Sequence, residues 1–183
     1  MNTILPTGVS ASPYTLVIVD MQPGFSAAND ARTINGTMDE IHTAMALNMP
    51  IIFVISDEEK YGAPNPDLVN LVKNSGYDPD LWSIELKFYR YGERFSASSG
   101  CKQVNEACEV FGFPTNRFRF CGVNTDICVF FTAMELSKLY PQSLMEIVMR
   151  ACNVMSTGIS VDTAKAFAMY AGDHDFTNYM LDQ

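Results

Sequence analysis

Residues 15–20 read TLVIVD: Thr15, Leu16, Val17, Ile18 and Val19, then a carboxylate, Asp20. The run does not alternate apolar with polar. Both faces of such a strand must be covered, as in a parallel sheet flanked by helices. IIFVIS, Ile51–Ser56, repeats the pattern. Between the two, Met38, Ile41, Met45 and Ala46 recur at helical spacing and predict a helix over roughly Gly36–Asn48, broken at Met49–Pro50. Asp57–Pro66 reads as a loop, and Pro66–Lys73 as a short helix with proline in its first turn. WSIELK (Trp82–Lys87), RFRFCGV (Arg117–Val123), MEIVM (Met145–Met149) and FTNYML (Phe176–Leu181) are further strand candidates. Lys102–Phe111, Thr125–Leu139 and Val161–Ala171 read as helices, and Phe88–Gly100 as a loop. Alternation of this kind implies crossover connections, hence an α/β fold of three layers, α-β-α, around a mostly parallel sheet. The 183 residues suit a single domain, with residues 1–13 as an N-terminal extension.

Composition narrows the function. A net charge of −9 argues against nucleic acid and against anionic membrane as partners. No run approaches the roughly 18 apolar residues of a membrane span, and the N-terminal residues lack the basic and apolar regions of a secretory signal. Five cysteines without a close pair, and only two histidines, predict free thiols in a reducing, cytoplasmic setting and no zinc site. Cys101, Cys108, Cys121 and Cys152 read as core thiols. His42 reads as a surface residue, and His174 is expected to stand apart from the site, which it could approach only in an oligomer.

In parallel sheets, ligands bind beyond the carboxyl ends of the strands. Asp20 ends the first strand, where it is either a site carboxylate or a turn residue. Lys87 ends the third, where an isolated lysine would ordinarily be solvated. The fourth strand runs into CGVNTDICV, Cys121–Val129, which places Cys128 in the first turn of a helix. A helix N-terminus favours a thiolate and offers N–H groups to an oxyanion. Aspartate, lysine and cysteine at three strand ends form a coherent set for covalent acyl transfer.

VDMQPGF (Val19–Phe25) and CGVNTDICV resemble the first-strand and nucleophile motifs of the isochorismatase-like cysteine hydrolase superfamily, which includes nicotinamidases and related amidases. The resemblance runs in motif order from about Thr15 to Ala171, with Lys87 between the two motifs. It implies an isochorismatase-like, Rossmann-like fold and cleavage of an amide-type C–N bond in a small molecule through a thioester. It implies Cys128 as nucleophile, Asp20 as general base and acid, and Lys87 as their electrostatic partner. It also implies a cis peptide between Val123 and Asn124, with the Asn124 and Cys128 amides as the oxyanion hole, and a homo-oligomer. Phe25, Tyr91, Arg94 and Val123 are the candidate pocket residues; Arg90 or Arg94 would suit a substrate carboxylate. Gln22 reads as structural.

Two departures matter. Nicotinamidases of this superfamily hold a metal on an aspartate and histidines after the second strand. Here Asp57, Glu58 and Glu59 follow it, with no histidine from Ile51 to Phe113, so a solvated acidic loop and no metal or other cofactor are expected. After the fifth strand, where many relatives are acidic, stands Arg150, facing either substrate or solvent. Two other readings stay open: a nicotinamidase-like deamidase, and an idle hydrolase fold serving as a binding or assembly module.

Overall fold

The computed structural model describes residues 12–88, 95–154 and 179–182, the last four by their backbone. Six parallel strands form one sheet in the order β3-β2-β1-β4-β5-β6. They are β1 (Thr15–Val19), β2 (Ile51–Ile55), β3 (Trp82–Leu86), β4 (Arg117–Val123), β5 (Leu144–Asn153) and β6 (Tyr179–Asp182). Helices α1 (Ala31–Ala46) and α3 (Pro66–Lys73) pack together, as do α4 (Cys101–Phe111) and α5 (Phe130–Leu139), one pair on each face. The three-layer expectation therefore holds. Every residue of β1 and β2 is buried, as their unbroken apolar runs require. The predicted helix over Val161–Ala171 and His174 lie outside the described residues.

Where the elements differ from expectation, a side chain explains it. Helix α1 begins at Ala31, five residues before Gly36, because Asp30 caps it: its carboxylate accepts the Thr33 N–H at 2.9 Å and the Thr33 hydroxyl at 2.8 Å. Within the expected loop, Asp57 accepts the Glu59 N–H and starts a one-turn helix, α2 (Glu58–Tyr61). Strand β5 continues past Met149 because its pairing with β4 shifts register, from Phe120 opposite Ile147 to Gly122 opposite Cys152.

Arg150 reaches solvent, one of its two expected partners, with 41% of its side chain exposed. Its guanidinium pairs with Glu40 of α1, which is 1% exposed. Arg119 of β4 also holds Glu40, at 2.5 Å, and stands 3.6 Å from Glu146, which Arg117 grips through two nitrogens at 2.7 and 2.9 Å. Two buried carboxylates, Glu40 of α1 and Glu146 of β5, are thus paired with arginines from β4 and β5.

Strands β1, β2 and β3 step outward one way from the middle of the sheet, and β4, β5 and β6 the other. The order reverses between β1 and β4, which opens a crevice beyond their carboxyl ends. Gly122 lets the two strands close there. It has φ +118°, and a Cβ on it would stand 2.1 Å from the Val19 carbonyl oxygen.

Candidate active site

The sheet register carries three predicted residues to one place. The Asp20 N–H donates to the Val54 carbonyl at 2.8 Å, and the Lys87 N–H to the Ile55 carbonyl at 2.7 Å. Asp20 itself has φ +53°. That conformation is uncommon outside glycine, and aspartate is among the residues that tolerate it. It leaves the carboxylate fully buried and gripped on both oxygens. Oδ1 accepts the Ser56 hydroxyl at 2.9 Å, and Oδ2 accepts Lys87 Nζ at 2.6 Å. The lysine side chain is only 5% exposed and also donates to the Ser98 carbonyl at 3.3 Å. Burying such a pair is worthwhile only with good geometry and satisfied remaining lone pairs, and Ser56 and Ser98 supply that here.

Cys128 enters from the far side of the crevice. Beyond β4 the chain turns through Asn124, at φ 58° and ψ 56°, into a single π-helical turn, Thr125–Val129, that feeds α5. The described residues contain no cis peptide. The expected cis bond between Val123 and Asn124 is therefore replaced by a trans bond followed by a left-handed asparagine, a residue that tolerates this conformation. The turn is tied down at its carbonyls. Asn124 C=O accepts from Ile127 and Val129 N–H groups at 2.9 and 3.2 Å, and Cys128 C=O accepts the Thr132 hydroxyl at 2.7 Å.

The thiol differs from expectation. Burial pushes Cys128 up to about 12; Lys87 pulls it down, the Asp20 charge and a hydrogen bond to Asp20 push it up, and the Asn124 amide pulls it down. A one-turn helix start offers too little to offset desolvation and a facing carboxylate. The resting group is therefore a thiol.

Lys87, Asn124 and Cys128 line one cavity of about 370 Å³ together with Phe25, Ser56, Asp57, Tyr61, Ala97, Ser98 and Ile127, while Asp20 lies buried behind Lys87 and Ser56. The Phe25 and Tyr61 rings stack at 4.2 Å. Val123 does not line the cavity: it is fully buried, opposite Asn153 in the β4–β5 ladder. Tyr91 and Arg94, like Arg90, lie outside the described residues. Sequence reasoning missed Ser56, although the strand-end rule that selected Asp20 applies equally to the residue after β2. Gln22 is structural, as expected: its side chain bonds Ser56 N and O and the Gly62 carbonyl, joining the loops after β1 and β2.

The acidic segment does not fit a metal. Asp57 is occupied as a helix cap, Glu58 and Glu59 are exposed, and among the described residues no three ligand-type side chains converge.

Buried thiols also make stability depend on pH. Cys108 and Cys152 are likewise pushed up to about 12 by burial, and Cys121 well above its ordinary value. In the unfolded chain these groups ionise near 8.5. A folded pKa above the unfolded one means stability that is complete below about pH 8 and lost as pH rises. Each thiol should cost ~2 kcal/mol between pH 8 and 10. Urea unfolding under reducing conditions should show a large fall in midpoint over that interval and none from pH 7 to 8. An unchanged midpoint at pH 10 would contradict the burial of these thiols.

No protein-family model matches the sequence, and no curated protein is similar to it in sequence. Solved structures are similar in fold. A nicotinamidase from Staphylococcus aureus superposes with a TM-score of 0.66 at 14% identity, over 93% of this chain and 98% of its own. YcaC from Escherichia coli, described as an octameric hydrolase of unknown specificity, gives 0.65 at 17% identity, over 99% and 80%. A putative isochorismatase-family hydrolase from Chromobacterium violaceum gives 0.63 at 14% identity, over 98% and 93%. The chain therefore has the isochorismatase-like fold. Among the described residues, no helix is long and apolar enough to cross a membrane.

Proposed function

We propose that this chain is a cysteine hydrolase of the isochorismatase-like superfamily that cleaves an amide-type C–N bond of a small molecule in the cytoplasm, as a homo-oligomer. One observation carries the reading: a buried carboxylate, held on both oxygens by Ser56 and Lys87, acts electrostatically on Cys128, the only cysteine that lines the described cavity. The fold shared with hydrolases supports it, and the octameric YcaC is compatible with assembly.

In this mechanism Asp20 takes the Cys128 proton as sulfur attacks the carbonyl carbon. The C–S bond forms, and the carbonyl electron pair moves to oxygen, where the Asn124 and Cys128 amides receive the oxyanion. Collapse breaks the C–N bond. The nitrogen leaves with the proton from Asp20, giving ammonia or an amine and a thioester. Water then attacks the thioester and gives a proton to Asp20. The C–S bond breaks, and sulfur recovers that proton, releasing the acid. Lys87 holds Asp20 in place throughout and offsets its charge as the thiolate develops. Because the resting thiol is protonated, proton transfer accompanies substrate entry, which expels water and strengthens these electrostatics.

Hydroxylamine tests the covalent step. With an amide turned over by the protein, chosen from a panel that includes nicotinamide, added hydroxylamine should divert the product from acid to hydroxamate. Ammonia release without any hydroxamate would rule out an acyl-enzyme. A folded protein that releases ammonia from no member of the panel would count against the hydrolase reading.

A further inference from the structure

Asn124 enters the mechanism above through its backbone alone, yet its side chain lines the cavity and the residue is 3% exposed. The two edges of its amide are in different situations. Nδ2 points at Cys128 Sγ, 3.9 Å away, which fixes the rotation of the group. Oδ1 is buried and accepts no hydrogen bond. A buried acceptor without a donor is unfavourable, and native structures rarely leave one without a reason. Two donors that share the cavity are directed elsewhere: Lys87 Nζ donates to Asp20 and Ser98, and the Ser56 hydroxyl to Asp20. A donor on a bound ligand would satisfy Oδ1.

We propose that Asn124 is a specificity-determining residue whose Oδ1 accepts the N–H of the group leaving from the scissile carbonyl, so that the site selects amides over the matching esters. An ester presents an oxygen at that position. Two acceptors would then face each other in a buried place, and discrimination runs against the greater intrinsic reactivity of the ester. The proposal rests on the acyl-transfer reading of the same cavity.

The test uses primary amides with small acyl groups (acetamide, benzamide, nicotinamide and phenylacetamide) beside their methyl esters, with the acid product measured for both. The readout is the ratio of amide to ester kcat/KM. Asn124→Gly removes the side chain while accepting the φ of 58°. It should lower the ratio about tenfold or more. Any effect of losing the Nδ2–Sγ contact falls on both substrates and cancels. Asn124→Asp keeps an acceptor at the same place and should hold the ratio within about threefold of wild type, even as the added charge slows both reactions. An unchanged ratio in Asn124→Gly, with wild type turning over the amide, would overturn this inference and leave the hydrolase reading standing. Wild-type protein that hydrolyses neither amide nor ester would overturn both.

Discussion

Cys128→Ala should remove turnover, lowering kcat by roughly 10⁴-fold or more, while the protein stays folded. The two halves of that statement have separate causes. No other cysteine lines the described cavity, and a serine hydroxyl is a much weaker nucleophile than a thiol. The Ser56 hydroxyl donates to Asp20 from the β2 side, and Ser98 presents its backbone carbonyl to Lys87. The fold survives because sulfur is the one partner that Asp20 can lose cheaply: its carboxylate keeps Ser56 on one oxygen and Lys87 on the other. Substituting Asp20 or Lys87 is less informative. Each would leave its buried partner uncompensated, at a cost of about 3–5 kcal/mol that mixes misfolding with chemistry. The check is steady-state turnover beside circular dichroism and a thermal melt. An alanine variant within tenfold of wild-type activity would exclude Cys128 as the nucleophile.

Gly122→Ala should destabilise the protein by at least about 4 kcal/mol, enough to lower Tm by roughly 10 °C or to prevent soluble folding. The added methyl would stand 2.1 Å from the Val19 carbonyl oxygen, 2.7 Å from its nitrogen and 2.8 Å from its carbonyl carbon. All three are backbone atoms of the central strand, so no side-chain rotation relieves the clash. The φ of +118° adds strain for any residue with a Cβ. Gly112→Ala separates the two effects. Its φ is +70°, but nothing lies within 4 Å of the added methyl, so conformational strain alone should cost about 1 kcal/mol. Similar melts for the two alanine variants would show that β1 and β4 do not approach as closely as described. Since Asn124 follows two residues later, any soluble Gly122→Ala protein should also lose activity.

Much of the architecture was legible in the chain because burial on both faces writes itself into a strand as an unbroken apolar run. TLVIVD and IIFVIS could be placed at the centre of a parallel sheet for that reason, and their terminal residues could be assigned to its mouth. Pro66–Lys73 was bounded correctly because its proline marks a first turn. Legibility failed where a single polar side chain set a boundary, as with Asp30 at the start of α1, since a cap competes with many equivalent turn residues. It failed again in β5, whose extension past Met149 depends on a register shift against β4 that no local pattern encodes.

At the site the division is similar. The sequence by itself determined which residue types stand at the strand ends: Asp20, Lys87 and Cys128, in an order that resembles a known superfamily. Only the tertiary structure decided what those residues meet. It placed Ser56 on the second oxygen of Asp20, paired Arg150 with Glu40 away from the cavity, and removed Val123 from the pocket. It also replaced the expected cis bond by a left-handed Asn124, and reversed the expected shift of the Cys128 thiol. The physical reason is common to all of these. Strand identity follows from short-range pattern, whereas the pKa of a buried group, the partner of a buried charge and the wall of a cavity are sums over neighbours distant in the chain. Those neighbours come together only when the sheet order and register are set.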